Sequence, residues 1–121
     1  MPTIAVVTDL IFGTKITGTG KALGKPVLVA RTLEKLQEHL DAVPADAGAP
    51  TLIIDLNANG IDPIVAVRLA RAHKASPNII AYLSHVQVDL AQAAREAGAH
   101  QAMARSAFVQ QLPNILAPTV P

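Results

Sequence analysis

Asp9, Asp55, Asn57, Ser84 and Arg105 are the side chains whose types and places could do chemistry together. Each follows a short apolar run. Thr8 and Asp9 follow "IAVV", Asp55 and Asn57 close "LIIDLN", Ser84 and His85 follow "IIAYL", and Arg105 and Ser106 follow "QAMA". Charge is expensive to bury, so an acid at the end of a buried run either marks the point where a strand meets water or is aimed at a ligand. If the runs are parallel strands, their carboxyl ends share one rim, where ligands of open α/β sheets bind. Two acids, a hydroxyl and a cation would then face one crevice.

Other constellations are weaker. His85 and Asp89 stand four apart, as two metal ligands on a helix could, but no third ligand accompanies them, so they read as a solvated pair. "GTGKALG", residues 18 to 24, lacks the spacing of a phosphate loop and lies late in a helix, so it reads as close packing and a C-cap. His39, His73 and His100 fall at polar or helix-end positions. No Ser-His-acid or paired-carboxylate catalytic set stands out.

The elements that must position the rim follow from periodicity. Apolar runs in "TIAVVT", "PVLVA", "TLIID", "NIIAYL" and, more weakly, "QAMA" read as buried strands. Between them, Thr32 opens "TLEKLQEHL", Asp62-Pro63 opens "DPIVAVRLARAHK", and Gly98 closes "VQVDLAQAAREAG" as helices. Continuous apolar strands alternating with helices imply a parallel sheet covered on both faces. The expectation is a three-layer α/β sandwich of about five βα units. The first helix, in "LIFGTKITGTGKALG", contains Gly13, Gly18 and Gly20, each costing roughly 1 kcal/mol relative to alanine, so tertiary packing must hold it. "AVPADAGAP", residues 42 to 50, reads as a loop. Pro113 should end or kink the last helix near Leu112, giving one domain over 1–121 with a core of about 3–112 and a tail at 113–121.

Composition narrows the function classes. At 121 residues the chain suits one hydrophobic core. Ten basic and nine acidic residues, for a formal net charge of +1, give no electrostatic track for nucleic acid, and 2% aromatics give no stacking platform. The absence of cysteine excludes a disulfide framework and thiolate metal sites. No apolar run approaches the roughly 20 residues that span a bilayer, and no signal peptide is evident, so a cytoplasmic protein is expected.

From about Ile4 to Phe108 the order of these residues resembles the receiver domain of bacterial two-component response regulators. The matching stretches are "VVTD", "IIDLN", "AYLSH" and "MARSAF", with "ALGKPVLVART" and "AREAGAHQAMA" resembling the family's joins into its second and fifth strands. The resemblance implies a flavodoxin-like sheet of strand order 2-1-3-4-5. It also implies Asp55 as phosphoacceptor, Ser84 and Arg105 as phosphate-binding residues, and Mg2+ held by Asp9, Asp55 and the backbone carbonyl of Asn57.

The departures from the family pattern bear on the chemistry. Thr8 replaces the first acid of the usual pair, which should lower Mg2+ affinity. Arg105 replaces lysine and offers a planar fork that could bind phosphate or clamp Asp55 in a bidentate pair. Ser106 replaces a proline. Ala102 replaces the aromatic ring that moves with the strand-four hydroxyl in many receivers, so transmission must use another route.

Taken singly, several rim residues have structural readings: Asp9 and Ser106 as helix N-caps, and Ser84 with Gln87 as a capping box. Asp55 has no such reading, because the next helix starts only at Asp62. It faces a pocket, either as phosphoacceptor or as salt-bridge partner of Arg105. The implied function is a stand-alone receiver-like signalling domain, not an enzyme beyond self-phosphorylation or dephosphorylation at Asp55. Its partners would be a sensor histidine kinase or phosphotransfer protein and a downstream protein, or a second copy in a homodimer, with no nucleic acid and no membrane. The alternatives are a phosphorylation-incompetent pseudo-receiver that acts as a constitutive interaction module and a flavodoxin-like small-molecule binder.

Overall fold

The computed structural model describes residues 2–84 and 87–117. Strands and helices alternate strictly along the chain: β1 (Thr3–Val6), α1 (Leu10–Ala22), β2 (Val27–Ala30), α2 (Leu33–Asp41), β3 (Thr51–Asp55), α3 (Pro63–Ala72), β4 (Asn78–Leu83), α4 (Val88–Ala97), β5 (Gln101–Ala104) and α5 (Arg105–Leu116). The five strands form one parallel sheet in the order β2-β1-β3-β4-β5, as the resemblance implied.

The two-residue period of a strand sorts the core into two layers. Ile4, Val6, Leu52, Ile54, Ile79, Ala81 and Leu83 pack with Leu36 and Leu40 of α2, Ala66, Val67 and Ala70 of α3 and Ala94 of α4. The intervening residues Ala5, Ile53, Ile80 and Tyr82 face the other way, onto Phe12 and Ile16 of α1 and Phe108, Leu112 and Leu116 of α5. Both faces of β3 are thus covered, which is why Leu52, Ile53 and Ile54 are apolar without alternation.

Three helices begin where the local chemistry predicts. Asp9 accepts hydrogen bonds from the N–H groups of Ile11 and Phe12, Thr32 from Lys35, and Asp62 from Ile64 and Val65, with Pro63 in the first turn of α3. The other two expected caps are corrected. Helix α4 starts at Val88 behind Gln87 with no side-chain cap, so Ser84 and Gln87 form no capping box. The Ser84 N–H is instead held by Asn57 Oδ1 at 2.7 Å. Helix α5 begins directly after β5, with Ala104 in the cap position and Ser106 already inside the first turn.

Pro113 does not end the last helix near Leu112. Helix α5 runs through it to Leu116, because Leu112 and Leu116, one turn apart, are both buried against the sheet and anchor the helix on either side of the missing donor. The ordered core therefore extends past the expected boundary, and 118–121 of the expected tail lie outside the described residues.

Of the three glycines in helix α1, the packing requires Gly20. A Cβ on Gly20 would run into the Lys25 carbonyl oxygen and come within 2.8 Å of Val27 Cγ2, where the chain turns from α1 into β2. Gly20→Ala gains helix propensity worth about 1 kcal/mol but must push backbone aside, and overpacking of this kind costs about 1–3 kcal/mol. The expected outcome is a net loss of stability, read as a lower urea midpoint with unchanged m-value.

Candidate functional site at the carboxyl rim of the sheet

Asp55 is the last residue of β3, two after Ile53, so it points to the α1/α5 side. It is only 2% exposed. Its Oδ1 accepts the Asn57 N–H at 2.8 Å, and its neighbour across the β3–β4 register is Tyr82. Burial pushes the carboxyl above the ordinary value of 3.8; the Asn57 N–H and the Arg105 charge oppose that shift, the Asp9 charge adds to it, and the nearby Tyr82 hydroxyl opposes it.

The rim closes over this carboxylate from three elements. Asp9 sits at the start of α1, exposed, with Oδ1 receiving the N–H groups of Ile11 at 2.9 Å and Phe12 at 3.2 Å. Arg105 opens α5, with its guanidinium carbon 4.6 Å from the centroid of the Phe12 ring and 5.9 Å from that of Tyr82. Ser84 follows β4 at the exposed end of the strand. The salt bridge of Asp55 with Arg105, one of the two alternatives for this carboxylate, does not form. The ion pairs among the described residues are Lys35–Glu38 and His73–Asp41, both elsewhere. The guanidinium lies on the aromatic face of Phe12 instead, so its charge reaches Asp55 without clamping it.

Asn57 braces the loop that leaves β3. Its Oδ1 accepts from the Ser84 N–H and its Nδ2 donates to Gln87 Oε1 at 2.9 Å, which ties this loop to the one after β4. On the opposite side the Thr8 hydroxyl accepts the Asn59 N–H at 2.9 Å, tying it to the loop after β1. Thr8, which replaces the first acid of the pair in the family pattern, is therefore a structural link.

For a hard divalent cation the donor set is of the right kind: the carboxylates of Asp9 and Asp55 and the carbonyl of Asn57. Each carboxylate has one oxygen held by backbone N–H groups and the other in no hydrogen bond of good geometry among the described residues, with the Tyr82 hydroxyl close to Asp55, and the Asn57 carbonyl accepts no hydrogen bond from them. These oxygens fit Mg2+ with fewer charges than a three-acid site. No group of three or more His, Cys, Asp or Glu that could hold a metal exists among the described residues.

Tyr82 was missed as a site residue. Its ring is fully buried, stacked on Phe108 at a centroid distance of 4.5 Å and tilted against Phe12 at 5.0 Å, so all three Phe and Tyr rings of the chain gather beside Asp55. Burial, and then the Asp55 charge, push its phenol well above the ordinary range, so it stays protonated. The strand period carried the signal, since Tyr82 follows Ile80 on the same face that Asp55 shares with Ile53. The expected His85–Asp89 pair falls partly outside the described residues.

No protein-family model matches the chain, and no curated protein matches it. Solved structures do. The receiver domain of NtrX from Brucella abortus superposes with a TM-score of 0.76 at 13% identity, covering 97% of this chain and 99% of that one. A response regulator from Burkholderia pseudomallei with a phosphorylated aspartic acid, calcium ion and citrate gives 0.76 at 15% identity, covering 98% and 68%. The receiver domain of the sensor histidine kinase PA1611 from Pseudomonas aeruginosa, with magnesium coordinated in its active-site cleft, gives 0.75 at 17% identity, covering 98% of both chains. This is the receiver-domain fold. Among the described residues, no helix is long and apolar enough to cross a membrane.

The raised carboxyl of Asp55 has a measurable consequence. A carboxyl with a higher pKa folded than unfolded binds more protons in the native state, so stability falls as pH rises from the unfolded value near 3.8 through the folded one. Asp55→Asn keeps an oxygen for the Asn57 N–H and removes the buried charge. It should raise the melting temperature near neutral pH, with a gain that shrinks as the medium is acidified and wild-type Asp55 protonates.

Proposed function

We propose that this chain is a receiver-type signalling domain that accepts a phosphoryl group on Asp55. The observation that carries the reading is a buried carboxylate at the end of the central strand, one oxygen pinned by a backbone N–H, with no ion pair among the described residues to occupy the other. In the transfer, a free Asp55 oxygen attacks the phosphorus of a donor. The new O–P bond forms as the donor's P–O bond breaks, and the leaving group departs with that electron pair.

Charge on the transferring oxygens must be offset. Mg2+, when bound, supplies two positive charges at those oxygens, and Asp9, Asp55 and the Asn57 carbonyl would hold it. Arg105 contributes a fixed cation from the α5 side, and Ser84 a hydroxyl from the end of β4. The donor would be a sensor histidine kinase or phosphotransfer protein. Output would pass to a downstream protein or a second copy of the chain, through the loops that Asn57 and Thr8 tie to the site. Receiver domains signal rather than turn over substrate, and the same is proposed here.

Incubation with acetyl phosphate and Mg2+ tests this directly by intact-mass spectrometry. The expected result is one added phosphoryl group on the wild-type chain and none on Asp55→Asn; an unmodified wild-type chain at saturating Mg2+ overturns the reading.

A second reading, the pseudo-receiver, draws on one observation: the Thr8–Asn59 hydrogen bond takes the place of a metal-ligating acid. The two diverge in Thr8→Asp. An added carboxylate there should tighten Mg2+ on the order of tenfold, by ligand charge count, and speed modification in a working receiver. In a locked module it should leave both unmeasurable. Isothermal titration with Mg2+ reads the difference.

A further inference from the structure

Two buried polar atoms beside Asp55 close no hydrogen bond of good geometry among the described residues: the Tyr82 hydroxyl, which lies within electrostatic reach of the Asp55 carboxylate, and Arg105 Nε. Both are donors, and burying a donor without an acceptor is unfavourable. Phenylalanine would fill the same space between Phe12 and Phe108 without that penalty, so packing alone does not account for a tyrosine. The ring has little freedom to turn its hydroxyl elsewhere, held as it is at 4.5 Å from Phe108 and 5.0 Å from Phe12. Its place is set by the strand register that puts it next to Asp55. Arg105 is steered onto the same spot, its guanidinium over Phe12 and within 5.9 Å of the Tyr82 ring.

We propose that Tyr82 is a phosphoryl-positioning residue. Its O–H and the Nε–H of Arg105 donate to oxygens of the group built on Asp55, and in the phosphorylated chain they gain the acceptors they lack in the unmodified one. The inference rests on the phosphoacceptor reading and adds to it a residue from the middle of the aromatic cluster. Phosphorylation turns a carboxylate with one engaged oxygen into an acyl phosphate with three further oxygens, all strong acceptors. No proton changes hands, because the raised phenol keeps Tyr82 protonated while Asp55 forms its bond to phosphorus and the donor's leaving group departs with the electron pair of its own P–O bond.

Tyr82→Phe separates this role from packing, because it removes one oxygen and keeps the ring. Full-length wild-type and variant chains are compared in acetyl phosphate and Mg2+ for the rate of modification and the lifetime of the modified form by intact mass, and for unfolding in urea. The expected variant is at least as stable as wild type, yet is modified about tenfold more slowly or loses the phosphoryl group about tenfold faster, the effect of one hydrogen bond to a charged group. A wild-type rate and lifetime in Tyr82→Phe overturns the assignment while leaving Asp55 as acceptor. Lower stability also overturns it, since the hydroxyl would then have a partner before modification. If wild type itself is not modified, both proposals fall together.

Discussion

A carboxylate sealed at the end of the central strand is the constraint around which this molecule is arranged. Asp55 cannot be left without compensation in an apolar layer, and the local structure answers that need in parts: a backbone N–H from Asn57, the charge of Arg105 at a distance, and a rim that opens to solvent at Asp9 and Ser84. None of these cancels the charge outright, as a direct ion pair would. The site is held in tension between burial and hydration, and a group that arrives with its own cation can relieve it.

The loops around that carboxylate are joined to one another more tightly than their lengths suggest. Thr8 reaches the loop after β3 from one side, and the Asn57 side chain reaches the loop after β4 from the other. Three of the crossings at the carboxyl end therefore share hydrogen bonds that run through residues flanking Asp55. These bonds connect the surroundings of Asp55 to Gln87 at the start of α4, although Ala102 supplies no ring on β5.

Much of this architecture was legible in the chain itself. Five apolar runs became five strands because both faces of the sheet are covered, and Asp9, Thr32 and Asp62 capped helices because their short oxygen-bearing side chains can bend back to the first turn. The strand order was not legible from periodicity, which cannot say which strands are neighbours; the family resemblance supplied it. What was misread or left open depends on tertiary partners. Helix α4 starts later than the Ser84 cap required, behind Gln87, and the Ser84 N–H is braced by Asn57, 27 positions earlier; Thr8 finds its partner 51 positions away. Arg105 lies on Phe12 rather than on Asp55, a choice between two attractive surfaces that composition does not reveal. Pro113 is carried through α5 by the burial of Leu112 and Leu116.

The gathering of rings also determines how the protein interacts with light. With one tyrosine and no tryptophan, the chain's longest-wavelength ultraviolet absorption and emission come from Tyr82 alone, the side chain paired in register with Asp55. Stacked on Phe108 and flanked by a guanidinium, that chromophore sits within reach of the charge on the Asp55 carboxylate. The fold thus carries an optical reporter of its own rim, free of background from tryptophan or a second tyrosine.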